Sequence, residues 1–152
     1  MSLVTDTDTD KETMGTITTR LTITNRLDQG LASRGVIQPD AVRSVTLDDV
    51  IVDTGATTLC LPSNTIAALG LEPSREVIAE TATGSTALRL YQDAKISLLG
   101  REGTFDCVEL PEGREPLLGV IPLEFLGAEL DLQRQELRLL PMTRDKSYFL
   151  VY

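Results

Sequence analysis

The sequence predicts an all-β domain, mainly strand with one or two short helices. β-branched and alternating stretches recur at short intervals, turn signals separate them, and the only helical patterns are about two turns long. Thr16 to Thr24 opens the series, with Ile17, Leu21 and Ile23 at even intervals, as a half-buried strand requires. Asn25 to Asp40 carries Gly30, Gly35 and Pro39 among polar residues and reads as a loop. Val45-Thr46-Leu47 and Val50-Ile51-Val52 follow as strand, and the continuously apolar second triplet predicts a central position. Behind Pro62, Ser63 is an N-cap for a short helix over Asn64 to Leu69, which Gly70 stops in the left-handed conformation. Val77 to Ala79, Ala87 to Tyr91, Ala94 to Leu98 and Phe105 to Leu110 are further strands. Turns at Thr83-Gly84-Ser85, Gln92-Asp93 and Gly100 to Gly103 separate them. Pro122 suits the first position of a helix over Leu123 to Leu126 that Gly127 ends. Leu130-Asp131-Leu132 and Leu137-Arg138-Leu139, either side of Gln133-Arg134-Gln135, predict a β-hairpin. The order of strand, glycine, short Pro-led helix, Leu-Gly stop and strand occurs twice, from Val50 to Leu71 and from Leu117 to Leu132, which suggests a supersecondary duplication.

With 152 residues, 41% of them apolar, the chain is sized for one compact domain with a real core. Residues 1–14 are dominated by Thr and Asp and are expected to form a disordered acidic tail, leaving residues 15–152 as the single domain. Tyr148-Phe149-Leu150-Val151-Tyr152 is aromatic and β-prone. It is expected to be paired within the fold or across a dimer, since exposed it would aggregate. A net charge of −9 argues against nucleic acid, whose phosphates need a dense cationic surface. The absence of histidine excludes Ser-His-Asp and Cys-His catalysis and imidazole-ligated zinc, and no metal or other cofactor is expected. No apolar run approaches the roughly 20 residues of a membrane span, and the start lacks a secretory h-region. Cys60 and Cys107 are too few for a disulfide framework. They are expected as small buried hydrophobes, with a redox pair as the sharper alternative. These features point to a soluble protein of the reducing cytoplasm.

One segment concentrates the chemistry: Val50-Ile51-Val52-Asp53-Thr54-Gly55-Ala56-Thr57-Thr58-Leu59-Cys60-Leu61-Pro62. An acid directly after a buried strand costs several kcal/mol, roughly, unless donors surround it or its pKa rises. Gly55 lets the backbone approach another group closely, and the Thr54 hydroxyl can bond across a neighbouring loop. The bland alternative is that Asp53 only opens a turn. Asp48 and Asp49 are expected to be solvated.

The segment resembles the active-site signature of the retropepsin-like, single-lobed aspartic proteases, residue by residue from Val50 to Leu61. The second hallmark of that family, two apolar residues and a glycine before a short helix, is matched by Leu117-Leu118-Gly119 and Pro122 to Leu126. The similarity spans about Gly15 to Leu140 and looks like the small bacterial branch. The resemblance implies a closed, barrel-like acid-protease lobe that acts as a homodimer. It makes Asp53 the catalytic acid, Thr54, Gly55 and Ala56 its loop, and Thr83, Gly84 and Ser85 the tip of a flap that closes on substrate. Leu117, Leu118 and Gly119 become the second hallmark and the cleft wall, with Val52 and Cys60 as further wall residues. Thr57 and Val120 stand where retroviral enzymes usually carry an acid and an arginine as a structural ion pair, a departure that bears on how a dimer is locked. The implied partners are a second copy of the chain and an extended peptide. The implied activity is peptide-bond hydrolysis by a water held between two Asp53 carboxylates. The alternative on the same fold is a silent peptide-binding or oligomerisation module.

Overall fold

The computed structural model describes residues 16–141. The acidic tail and the segment from Tyr148 to Tyr152 lie outside them. Nine strands are described: β1 (Thr18–Asn25), β2 (Ser44–Val52), β3 (Leu59–Pro62), β4 (Glu72–Thr81), β5 (Gly84–Leu98), β6 (Arg101–Leu110), β7 (Leu117–Leu118), β8 (Ala128–Asp131) and β9 (Glu136–Leu139). Three α-helices accompany them, α1 (Arg26–Ser33), α2 (Ser63–Leu69) and α3 (Val120–Leu126), with a short 3-10 helix at Pro39–Ala41. Seven strands form one sheet in the order β1-β2-β7-β3-β6-β5-β4, and β1 also pairs with β5. That last pairing, Thr22 to Asn25 against Ala94 to Ser97, closes six strands into a barrel and leaves β4 attached to β5 alone. The predicted mainly-β, closed-lobe architecture is the one observed.

Closure follows from where the apolar side chains point. Leu21, Ile23, Val50, Leu59, Leu61, Ile96, Leu98 and Leu118 are fully buried inside the ring, joined by Cys107 and by Ile66, Leu69, Leu123 and Leu126 from the helices. Each such leucine or isoleucine contributes about 1.5–3 kcal/mol relative to exposure. Asp48 and Asp49 are exposed, and the Arg20–Asp48 ion pair at 3.5 Å is too solvated to matter much.

β5 is one strand of 15 residues, about 50 Å long at ~3.3 Å per residue. The turn expected at Gln92-Asp93 is a β-bulge within it. The register with β6 slips by one residue between Tyr91↔Cys107 and Ala94↔Phe105, and Asp93 takes a positive φ of 68°. Before the bulge, Leu90 shares a face with Val108; after it, Ala94 and Ile96 share the opposite, core face with Phe105 and Gly103. Leu88, Leu90, Ala94, Ile96 and Leu98 therefore keep even spacing in sequence yet serve two faces. A signal for a turn and a signal for a bulge use the same residues, and only the neighbouring strand distinguishes them.

The stretch expected to be a loop after β1 contains α1. Asn25 caps it, accepting from the Asp28 N–H at 3.0 Å through Oδ1, while its Nδ2 donates to Leu69 O (2.8 Å) and Gly70 O (3.3 Å) at the end of α2. Asp28 is the only buried residue of α1, so the helix lacks the apolar stripe that would reveal it. Its carboxylate accepts from Arg43 Nε (2.8 Å), Nη2 (3.0 Å) and backbone N (3.0 Å). This set joins α1, the start of β2 and the end of α2. Two helix starts also differ from expectation. α2 begins at Ser63, whose hydroxyl donates to Leu110 O at 3.1 Å instead of capping. α3 begins at Val120, two residues before Pro122, where the missing proline N–H still falls among the unbonded donors of a first turn. Both helices end as expected, on left-handed Gly70 and Gly127, and the expected hairpin forms as β8–β9.

Hydrogen bonds from Arg43 hold the Asp28 carboxyl below its ordinary value of 3.8, with burial opposing them. A lowered folded-state value stabilises above the unfolded pKa and is lost as pH falls through the folded one. The difference in thermal midpoint between the natural protein and Asp28→Asn is therefore expected to be full at neutral pH and to close below pH 3.8, a trend that a pH series of melts reads directly. At the bulge, Asp93→Gly is expected to be tolerated. Asp93→Val should lose about 1–2 kcal/mol in urea unfolding, because a β-branched side chain meets the full cost of left-handed backbone that the short polar side chain of Asp moderates.

Candidate active site

Asp53 follows the last residue of β2 and is only partly exposed. Its N–H donates to Leu118 O at 3.0 Å, its carbonyl accepts from Ala56 N at 3.0 Å, and its Oδ1 accepts from Gly55 N at 2.8 Å. The carboxylate is thus oriented by its own loop. Ala56 is buried beneath it, whereas Thr54 and Gly55 are exposed at the lip.

What holds this loop is β7, two residues long and inserted between β2 and β3. Ile51 and Val52 pair in parallel with Leu117 and Leu118, and Cys60 pairs antiparallel with Leu117. Gly119 then passes directly under the loop. A Cβ placed on it would fall 2.5 Å from Ala56 O and from Thr58 O, and 2.7 Å from Thr58 N. Its φ of −95° suits any residue, so the requirement for glycine is one of space. Immediately afterwards the Val120 and Ile121 N–H groups, orphans at the start of α3, donate to Ala56 O and Thr57 O at 2.9 Å each. On the other side the Thr58 hydroxyl donates to Asp106 O at 2.9 Å. Leu117-Leu118-Gly119 and the Asp53 loop are one interlocked unit. At the two positions where the ion pair would stand, Thr57 accepts from the Ile121 N–H and Val120 donates to Ala56 O, so backbone bonds hold the unit there.

A second apolar cluster lies outside the barrel beside this loop: Ala56, Cys60 and Leu110 are buried, with Val108 and Leu117 packed on them. Cys60 is in register with Val108, and Val108 with Leu90, so the same face continues along β5 to Leu88 and its partner Val77. An apolar strip therefore runs from the Asp53 loop to the β4–β5 hairpin. Leu117 and Cys60, expected on the cleft wall, lie in this outer cluster, whereas Leu118, expected with them, is buried in the barrel core. Val52, also expected on that wall, points into the barrel core. Val108, Leu110 and Leu90 were not anticipated, because their place on this face depends on registers across three strands.

The hairpin extends past the end of β6. β4 and β5 pair from Thr81↔Gly84 down to Glu72↔Gln92, whereas β6 pairs with β5 only from Leu90 onward. The turn residues are Ala82 and Thr83. Gly84 (φ 123°) and Ser85 belong to the strand, and the Ser85 hydroxyl donates to Glu80 Oε2 at 3.0 Å.

The two thiols do not form a redox pair. On the adjacent parallel strands β3 and β6, Leu59 is in register with Cys107 and Cys60 with Val108, which puts the sulfurs on opposite faces of the sheet. Cys107 lies in the barrel core and Cys60 in the outer cluster, so only the latter borders the Asp53 loop. Burial, with the charge of Asp53 adding to it, pushes Cys60 up to about 11; burial and its neighbours push Cys107 to about 12. Both are protonated at neutral pH.

Residues 43–124, which contain the Asp53 loop, the hairpin, β7 and the start of α3, match the family described as "gag-polyprotein putative aspartyl protease". The chain belongs to that family. Among solved structures, the aspartyl protease lobe is similar to EIAV protease, determined in complex with the inhibitor HBY-793. The TM-score is 0.50 at 20% sequence identity, covering 77% of this chain and 93% of that one, a likeness of fold. No curated protein matches the sequence. No helix among the described residues is long and apolar enough to cross a membrane.

Gly119→Ala tests the interlock. Backbone oxygens cannot rotate away from the added methyl, so a loss of about 3 kcal/mol is expected in urea unfolding, the upper end of ordinary overpacking. Gly113→Ala, at an open turn, is expected to lose less.

Proposed function

We propose that the chain is an aspartic endopeptidase that works as a homodimer, with Asp53 of each copy forming one half of the catalytic pair. The observation that carries this reading is the Asp53 loop itself, a carboxylate set at the lip of an interlocked loop in a chain with a single Asp-Thr-Gly. Hydrolysis of this kind needs two carboxylates sharing a proton, because like charges about 3 Å apart do not both ionise; aspartic proteases are the standard instance. A two-fold axis beside the exposed Thr54 and Gly55 supplies the second carboxylate from the second copy, with the site at the centre of an isologous interface. Thr54 suits a bond across that axis, because it is exposed at the lip of the loop.

In the dimer one Asp53 takes a proton from a water held between the carboxylates, and the resulting nucleophile attacks the scissile carbonyl. The other Asp53 protonates the carbonyl oxygen; as the tetrahedral intermediate collapses, the first Asp53 returns its proton to the amide nitrogen, and the C–N bond breaks to release the amine. None of these steps calls on a metal or an imidazole. The β4–β5 hairpin, with Thr83, Gly84 and Ser85 at its end, acts as the flap over an extended peptide. The strip of Leu117, Cys60, Val108 and Leu90 supports apolar side chains flanking the cut bond. Protonated, unpaired thiols suit a reducing compartment, and we assign the protein to the cytoplasm.

Asp53→Asn is expected to abolish cleavage of an unstructured peptide library while sedimentation still reports a folded dimer. Retained cleavage overturns the role of Asp53. A monomer that cleaves at micromolar concentration overturns the shared site, and a natural protein that binds the library at every pH without cutting it identifies a peptide-binding module.

A further inference from the structure

Away from the active site, α1 is fastened to the barrel without the use of its leucines. Asn25 caps it and reaches the end of α2, the Asp28 carboxylate is held by Arg43, and Gln29 Oε1 accepts from Lys95 Nζ at 3.0 Å. Asp28 is the only buried residue of the helix, whereas Leu27 is 46% exposed and Leu31, one turn on, is half-buried. Val36, 65% exposed, is brought back to Leu31 by its N–H, which donates to Leu31 O at 2.9 Å. Leu27, Gly30, Leu31 and Arg34 recur at steps of three and four and share one face. Arg26 joins them: a Cβ placed on Gly30 would lie 3.4 Å from its Nη1, so the guanidinium covers the glycine.

This face is cationic in an acidic chain. Arg26 and Arg34 are exposed at its two ends. Residues 26–43 hold three arginines and two acids, Asp28 and Asp40, and Asp28 is paired with Arg43, whereas the whole chain carries −9. The face also stands clear of the cleft. β1 runs from Thr18, in register with Ile51 near Asp53, to Asn25 at the start of α1, a span of ~23 Å at ~3.3 Å per residue.

We infer that the Leu27–Leu31–Val36 face of α1 docks an acidic segment of a partner protein that also carries apolar side chains. Leu27, Leu31 and Val36 take the apolar side chains. Arg26 and Arg34, about 12 Å apart along the helix axis, take carboxylates on either side of them. The bonds of Asn25, Asp28 and Gln29 hold the helix in place before a partner arrives, so little ordering opposes binding. An anionic membrane is the poorer occupant, because it repels the rest of a −9 chain. The inference goes beyond the peptidase reading and does not rest on it.

Fluorescence anisotropy on the full chain tests it, with a labelled helical peptide of glutamate, alanine and leucine and a copy carrying lysine in place of glutamate. A chain of net charge −9 without such a face favours the lysine copy. The glutamate peptide is instead expected to bind at least about tenfold tighter than the lysine copy, and to weaken as salt rises. Arg26→Glu with Arg34→Glu should reverse the preference, and Leu27→Ser should weaken the glutamate peptide roughly tenfold, with circular dichroism and thermal melts reporting that the fold is kept. Preference for the lysine copy, or glutamate-peptide binding that ignores these substitutions, overturns the inference. A sedimenting mass that falls with Leu27→Ser also overturns it, by giving the face to a second copy. So does capture by phosphatidylserine vesicles that depends on Arg26 and Arg34 in place of peptide binding, which gives the face to a membrane.

Discussion

The lobe is organised around a place where a side chain cannot fit. Gly119 runs within 2.5 Å, measured from its would-be Cβ, of two carbonyl oxygens of the loop that carries Asp53. That approach lets the two-residue strand β7 lie between β2 and β3, and it aims the first N–H groups of α3 at the same loop. Backbone bonds from β7 and α3 then reach Asp53, Ala56 and Thr57, and the Thr58 hydroxyl ties the loop to Asp106 of β6. The loop is over-determined, as a carboxylate on a short irregular segment must be if its direction is to be kept.

A second constraint shapes what surrounds the loop. One long strand must serve both as a wall of the closed barrel and as an arm of the projecting hairpin, and these two tasks need opposite faces to be apolar. The bulge at Gln92 and Asp93 reconciles them by turning the strand over between Leu90 and Ala94. The apolar strip beside Asp53 and the barrel core are consequently separate clusters, joined by backbone and not by side chains. The two cysteines report the same division, one on each side of the sheet.

The elements easiest to read in the sequence were those with local causes. Gly70 and Gly127 stop their helices because left-handed backbone favours glycine, and the β8–β9 hairpin follows from alternation on both arms of a polar turn. Helix α1 was not legible as a helix, since its one buried residue is an aspartate held by Arg43 and its anchor is the Asn25 side chain. A reader alert to Asn25 with an acid three positions on could have suspected a capped start; the residues that make the cap worthwhile, Arg43 and Leu69, are remote in sequence.

Sequence by itself determined the mainly-β class and the two short helices with their glycine stops, because each depends on residue type and near neighbours, while the pairing of the Asp-Thr-Gly loop with the distant Leu-Leu-Gly was legible only through a family resemblance. Tertiary structure alone decided which face each side chain serves. Val52 turns inward while Cys60 turns outward, and Leu90 and Ala94, equal in parity, part company across the bulge. The physical reason is that a strand has two faces and no local preference between them. Registry with its neighbours, and with the extra residue a bulge inserts, makes the choice.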